Sequence, residues 1–134
     1  MLNTPGIKKV SAVAPTQILF NVQNQMSVGV KLAKNFTGAV TEDSRKIVKA
    51  GTPLTGDLTA RDTAFTAAAD SGTGTVTNNA VGILLHDVDV TDNDANATLL
   101  IWGFVDMNKI DTTTAAKITD SVKTALKGSI TFLK

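Results

Sequence analysis

Alternation of apolar and polar residues over residues 18–32 is the feature that most constrains how this chain can fold. Every even position except 24 is apolar, whereas Leu19 is the one large apolar residue at an odd position; the even-numbered row is Ile18, Phe20, Val22, Met26, Val28, Val30 and Leu32. A period of two places such side chains on one face of a β-strand, whereas a helix would scatter them around its surface. Because the run Gln23-Asn24-Gln25 interrupts the row, we predict two strands, over residues 17–22 and 26–32, whose even-numbered face is buried.

The residue composition also favours strands over helices. The chain of 134 residues has one Glu but eleven Asp and 20 Thr, and Thr and Asp favour strands and turns. One segment departs from this trend, because apolar residues recur every three or four positions over residues 112–127. Asp111 and Gly128 stand where the start and the end of a helix are commonly capped. We therefore predict a β-rich α+β domain with one C-terminal helix.

Two further strands are predicted over residues 81–91 and 98–105, joined as a hairpin by a polar turn. The second strand is apolar on both faces, with Leu99, Ile101 and Val105 opposed to Leu100, Trp102 and Phe104. A strand of this kind is typical of the middle of a sheet or of a contact between subunits. The alternation of even- and odd-numbered residues does not say which of the two faces contacts a neighbouring subunit. The face with the large aromatic side chains supplies our candidate interface residues: Leu100, Trp102 and Phe104.

The N-terminal segment, residues 1–16, is predicted to be an extended arm. Pro5-Gly6 and Pro15 disfavour a helix, and the isolated apolar residues Ile7, Val10 and Val13 cannot bury one another. Such an arm gains order from a partner, so these three residues are candidate contacts. We divide the chain into this arm, an N-terminal strand pair and connection over residues 17–46, and a compact domain over residues 47–134.

The residue types present exclude several kinds of catalysis. Cysteine is absent, so disulfides, thiolate nucleophiles and cysteine-bound metals cannot form. His86 is the single histidine, and a small hydrolase would have to combine it with Asp87 or Asp89. His86 shares a predicted strand face with apolar residues, so a structural histidine is the better interpretation. We expect no enzymatic activity and no cofactor.

A run of aspartates raises the question of a calcium site. Asp92-x-Asp94-x-Asn96 begins like an EF-hand loop, but Ala97 and Gly103 stand where that loop requires glycine and glutamate. A hairpin turn rich in Asx residues explains the same run. We therefore predict no metal site.

Charge is distributed unevenly along the chain. Residues 1–50 carry seven basic and two acidic residues, residues 51–111 two basic and nine acidic, and residues 112–134 four basic and one acidic. The first two regions are expected to attract each other, within one chain or between copies. The basic residues are dispersed and have few aromatic neighbours, so we expect no nucleic-acid binding. We also expect no membrane span and no export signal, and therefore a protein that is made and used without export.

Three segments resemble the head decoration, or capsid cement, proteins of lambda-type tailed bacteriophages. They are Lys49-Ala-Gly-Thr-Pro-Leu54, Gly82-Ile-Leu-Leu-His-Asp-Val-Asp-Val-Thr91 and Leu99-Leu-Ile-Trp-Gly-Phe-Val105. The resemblance covers residues 47–110, about half of the chain, and contains no catalytic residue. It implies a β-clip-like, or β-tulip, architecture.

The resemblance also implies a function. A decoration protein is a homotrimer on the outer surface of the expanded capsid, where N-terminal arms grip the major capsid protein and the trimer bridges capsomers. The paired strands predicted over residues 17–46 exceed a simple arm and depart from that pattern. Two other virion roles stay open: a fibre or host-surface binding module, and a tail-tube or head-completion protein.

Overall fold

The computed structural model describes residues 17–21, 23–71 and 77–134, and it confirms a β-rich α+β fold. The predicted arm, with Ile7, Val10 and Val13, lies outside the described residues. The strands are β1 (Met26–Leu32), β2 (Val40–Glu42), β3 (Arg45–Val48), β4 (Pro53–Thr55), β5 (Ala64–Ala67), β6 (Gly82–Leu84), β7 (Val88–Asp89), β8 (Ala95–Asp106) and β9 (Ile130–Leu133). A 3-10 turn (Met107–Lys109) and two short helices, α1 (Thr112–Ala115) and α2 (Asp120–Ala125), lie between β8 and β9.

The main sheet closes on itself. Its order is β1-β5-β4-β6-β8-β9, and β1 also pairs with β8, so that five strands form a ring and β9 lies outside it. The remaining strands form a small sheet in the order β2-β3-β7. The predicted hairpin is thus confirmed only in part, because β6 pairs with β8 but β7 pairs with β3. Closure leaves few free edges, which limits unwanted pairing with other chains.

Two hydrophobic cores lie on the two faces of this sheet. The ring core includes Val30, Leu32, Leu54, Phe65, Leu84, Val88, Val90 and Leu99. The helix-side core includes Leu19, Ile83, Leu85, Leu100, Val105, Ile118, Val122 and Leu126. Side chains of residues 83–85 therefore alternate between the two cores, as a period of two requires. This explains why β6 and β8 are apolar on both faces.

A β-bulge in β8 changes which side chains share a face. Leu100 pairs with Ser27, but Met26 pairs with Trp102, so that Ile101 has no residue opposite it. Leu100 and Val105 consequently pack in the same core, although an even- and an odd-numbered residue of a regular strand would lie on opposite faces. The predicted grouping of Val105 with Leu99 and Ile101 is therefore wrong. The extra residue shifts the alternation by one position.

The N-terminal strand prediction is confirmed for β1 and wrong for residues 17–21, the described part of the other predicted strand. Leu19 forms only an isolated bridge with Val105, and Val22 lies outside the described residues. Burial also departs from the predicted even-numbered face, since Leu19 is buried whereas Phe20 and Met26 are exposed. The bridge places Leu19 beside Val105 on the helix-side core. Phe20, the next residue, therefore faces the opposite way.

The predicted single helix over residues 112–127 is instead two short helices. Asp111 caps α1 as expected, accepting a hydrogen bond from the Thr114 amide at 3.4 Å. Lys117 and Ile118 then donate to carbonyls three residues back, a tighter turn that ends the helix. Ile118 lies in this turn and is buried in the helix-side core. The apolar stripe is thus preserved, but a turn provides part of it.

Candidate interaction surface

Four large apolar side chains form one surface at the end of β8, which we call the apolar patch: Phe20, Met26, Trp102 and Phe104. Phe20, Met26 and Trp102 are 59%, 58% and 46% exposed, and Phe104 is half-buried. In the described part of the chain, three of the four large hydrophobic side chains that are exposed belong to this patch. Contiguous exposed apolar surface on a soluble protein commonly marks an interaction site.

The backbone register holds the patch together. Met26 is the direct cross-strand partner of Trp102, and the Phe20 amide donates a hydrogen bond of 2.9 Å to the Phe104 carbonyl. The rings of Trp102 and Phe104 meet edge to face, with centroids 6.3 Å apart. Edge-to-face contact is a preferred geometry for aromatic pairs. The patch is therefore an ordered surface carried by paired backbone.

The β-bulge explains why these side chains are exposed. Ile101 packs against the ring core, and the bulge places Trp102 on the same side of the sheet, one residue further along. The pairing with β6 ends at Leu100, so the strand passes beyond the ring at this point. Gly103 follows with φ of +153°, a conformation that other residues rarely adopt. Trp102 and Phe104 thus lie on the side of β8 that faces the ring core. At this point the strands of the ring no longer cover that side.

The structure separates the three candidate interface residues that were chosen from the sequence. Leu100 is completely buried in the helix-side core, whereas Trp102 and Phe104 lie in the apolar patch. Phe20 and Met26 also belong to the patch, although their alternating pattern predicted burial. Nothing in the local sequence marks them as exposed, because their exposure depends on where the ring ends.

The opposite charges of the first and middle regions meet within the chain. Arg45 pairs with Asp89 and, at 3.8 Å, with Asp92. Lys49 lies 3.3 Å from Asp87, and Lys31 lies 3.4 Å from Asp94. These contacts attach the basic N-terminal region to the acidic segment from Asp87 to the turn before β8. The attraction expected between the two regions thus acts within one chain.

Protonation of these groups follows from the same contacts. The hydrogen bond from Arg45, together with those from Thr91, lowers the pKa of Asp89 to about 2. Burial opposes the charge on Lys49, but the carboxylates of Asp87 and Glu42 outweigh it and raise the Lys49 pKa. Lys49 therefore stays protonated and is a salt-bridge partner, not a nucleophile.

The aspartates near β7 and β8 are held by protein groups. Arg45 binds Asp89 and Asp92, while Asp94 accepts a hydrogen bond of 3.0 Å from the Lys34 amide. Among residues 17–21, 23–71 and 77–134, no cluster of three His, Asp or Glu residues is placed to hold a metal ion. The arrangement is that of a polar turn between β7 and β8 whose carboxylates contact basic residues and a backbone amide.

The carboxylates next to His86 in the sequence bond to other groups. His86 is half-buried, and its Nδ1 atom has no hydrogen-bond partner among the described residues. Asp87 accepts a hydrogen bond of 2.7 Å from the Ala50 amide, and Asp89 binds Arg45 and Thr91. A carboxylate that orients a general-base histidine must bond to its ring nitrogen. Neither carboxylate orients His86 through Nδ1.

The described helices are all too short to cross a bilayer. Comparison with known proteins found no family model that matches the chain and no curated protein with significant sequence similarity.

Proposed function

We propose that this chain is a structural virion protein that binds the outside of an expanded phage capsid and stabilises it by bridging capsomers. The apolar patch is the observation that carries the proposal, because it is an ordered surface without a cover in the described chain. The resemblance to capsid cement proteins supports the same function. Its three segments contribute to β4, β6, β7 and β8. The proposal includes the β-clip-like architecture that this resemblance implies.

Self-association as a homotrimer is part of the proposal. Burial of a Phe, Met or Trp side chain contributes about 1.5–3 kcal/mol, so a contact through the apolar patch can stabilise an oligomer. In a trimer, three copies of the contact to the shell act together. Several modest contacts then give strong attachment through multivalency.

The second partner in the proposal is the major capsid protein. Ile7, Val10 and Val13 are the proposed contacts of the arm, which would add an extended segment to a sheet edge of the shell protein. In such pairing the backbone hydrogen bonds supply affinity and alternate side chains supply register. Deletion of residues 2–14 should therefore leave a folded domain that attaches weakly to capsids.

Sedimentation with expanded, undecorated capsids tests the function directly. The wild-type protein should cosediment up to a fixed number of copies per capsomer and raise the temperature at which the shell breaks. Trp102→Asp should reduce binding. Leu58→Asp is the matched control, because Leu58 is 39% exposed and lies outside the patch. Failure of the wild type to bind expanded shells would refute the decoration function.

The other two virion roles predict different outcomes when the protein is studied alone, with capsids and with host cells. Closed rings of protein without capsids would favour a tail-tube or head-completion protein. Binding to host cells in place of capsids would favour a fibre or host-surface module. A hydrolase would show activity that His86→Ala abolishes.

A further inference from the structure

A second apolar surface lies between the C-terminal helices and β9, on the other face of the sheet from the apolar patch. It is a groove of about 340 Å³. Its lining combines α1, the turn after it and the last strand: Met107, Thr112, Ala115, Ala116, Ile118, Lys123, Phe132 and Lys134. Ile118 and Phe132 form its floor through their packing in the helix-side core. The groove is thus built on fixed elements of the fold.

One wall of the groove is β9, whose outer edge pairs with no other strand among the described residues. On its inner edge β9 pairs in parallel with β8, and the Gly103 amide donates to the Ser129 carbonyl at 3.0 Å. In this register Thr131 turns its backbone groups toward β8, and Phe132 turns its own groups outward. The outward amide of Ile130 is already bonded to the Leu126 carbonyl at 2.9 Å. Phe132 therefore offers one N–H and one C=O to an added strand.

Phe132 belongs both to the groove lining and to the outer edge of β9, so one incoming segment can contact both. A strand that pairs with β9 directs every second side chain to the helix side of the sheet. On that side those side chains meet the groove and its apolar floor. Main-chain pairing and one apolar anchor would thus act together, as they do when a peptide is added to a sheet edge.

The charge of the groove indicates the chemistry of the segment. Lys123 and Lys134 are the charged residues of the lining, and neither takes part in the ion pairs formed between described residues. The surrounding segment, residues 112–134, carries four Lys and one Asp. Acidic groups on a partner would therefore be attracted, while basic ones would be repelled.

From these features we infer that β9 and the groove bind an extended segment of a partner protein in which acidic residues alternate with aliphatic ones. The segment adds a strand to β9 and pairs with the outward backbone groups of Phe132. One aliphatic side chain enters the groove, and a carboxylate lies near Lys123. This inference is independent of capsid binding and of the apolar patch.

Nuclear magnetic resonance titration of the full chain with a synthetic peptide tests the inference. The probe is acetyl-Glu-Val-Asp-Val-Asp-Val-Glu-amide, and its control has lysine at every acidic position. We expect saturable binding of the acidic peptide, with the largest shift at the Phe132 amide and weaker binding at high salt. Lys123→Glu should weaken binding about tenfold, and Lys127→Glu, an exposed change outside the lining, less than about twofold.

Three results would overturn the inference. One is that the acidic peptide does not bind, or that the lysine peptide binds equally well. Another is that the largest shifts fall on the apolar patch, which would make the peptide a ligand of that surface. The last is that only a variant lacking residues 2–14 binds, which would make the chain's own N-terminal segment, and not a partner protein, the occupant of the groove.

Discussion

Both halves of β8 carry large apolar side chains, but their surroundings differ. Residues 95–100 pair with β1 and β6, and within them Ala97 and Leu99 pack in the ring core while Leu100 packs in the helix-side core. Residues 102–106 keep the helix-side core on one face, through Val105, while Trp102 on the other face is 46% exposed. An apolar strand is therefore covered only as far as neighbouring elements reach. Whatever extends beyond them becomes a surface for another molecule.

Truncating one side chain in each half should give the largest contrast. Leu100→Ala removes a completely buried side chain and should lower the free energy of unfolding by about 2–5 kcal/mol. Trp102→Ala should cost about 1 kcal/mol or less in a single chain, because much of the ring already contacts water. Urea denaturation at low protein concentration measures both. Equal losses would mean that Trp102 is an ordinary core residue.

Adding one methyl group tests how tightly the covered half is packed. A Cβ atom at Gly82 would lie 2.5 Å from the Leu100 carbonyl oxygen and 2.8 Å from the Leu99 side chain. Gly82→Ala should therefore destabilise the fold by about 1–3 kcal/mol. Gly29→Ala is the matched control in β1, since nothing lies within 4 Å of its Cβ position. A tolerated Gly82→Ala in thermal unfolding would contradict the close approach of β6 and β8.

The oligomeric state of the protein tests the role of residues 102–106, the half of β8 that is exposed on one face. If the apolar patch joins copies of the chain, Trp102→Ala should weaken the oligomer about thirtyfold, a loss of about 2 kcal/mol per contact. Leu58→Ala should leave the oligomer unchanged. Analytical ultracentrifugation over a concentration series measures both variants. A wild type that is monomeric in solution and on the shell would remove the oligomer proposal.

Low pH should weaken the contacts that Asp89 makes with Arg45 and Thr91. The resulting loss of stability is the smallest of the four effects predicted here. The pKa of Asp89 is about 2 in the folded chain, below its usual 3.8, because Arg45 and Thr91 stabilise the charged form. Its contribution to stability is therefore complete above about pH 4 and is lost as the pH falls toward 2. Asp89→Asn should flatten the stability profile in this window. Asn93→Ala, an exposed change in the same turn that removes no titratable group, should leave the shape of the profile as it is.

Sequence reasoning identified the strands more reliably than their faces. The bounds of β1 and the two-sided apolar character of β8 could be predicted, since both depend on a period of two over several residues. The reversal at Phe20 and the separation of Leu100 from Trp102 could not be predicted. The first follows from the bridge between Leu19 and Val105, and the second from the β-bulge between β1 and β8, so that both depend on contacts between residues distant in sequence.

The candidate surfaces were predicted to different extents. Trp102 and Phe104 could be proposed because large aromatic side chains on a two-sided apolar strand are unusual in a small domain. Phe20 and Met26 were missed because a regular pattern predicted their burial. The groove beside β9 had no sequence signal, since its lining comes from a helix that ends early and from a strand that follows it.

The sequence alone determined a small β-rich domain, its strongest strands, the absence of cysteine chemistry and an apolar stripe near the C-terminus. These properties are local, because backbone preference and side-chain period act over a few residues. Only the tertiary structure decided the closure of the ring, the pairing of basic strands with acidic turns, and the exposure of Trp102 beside the buried Leu100. Those outcomes depend on contacts between distant residues, and a one-residue shift in register moves a side chain from a core to the surface.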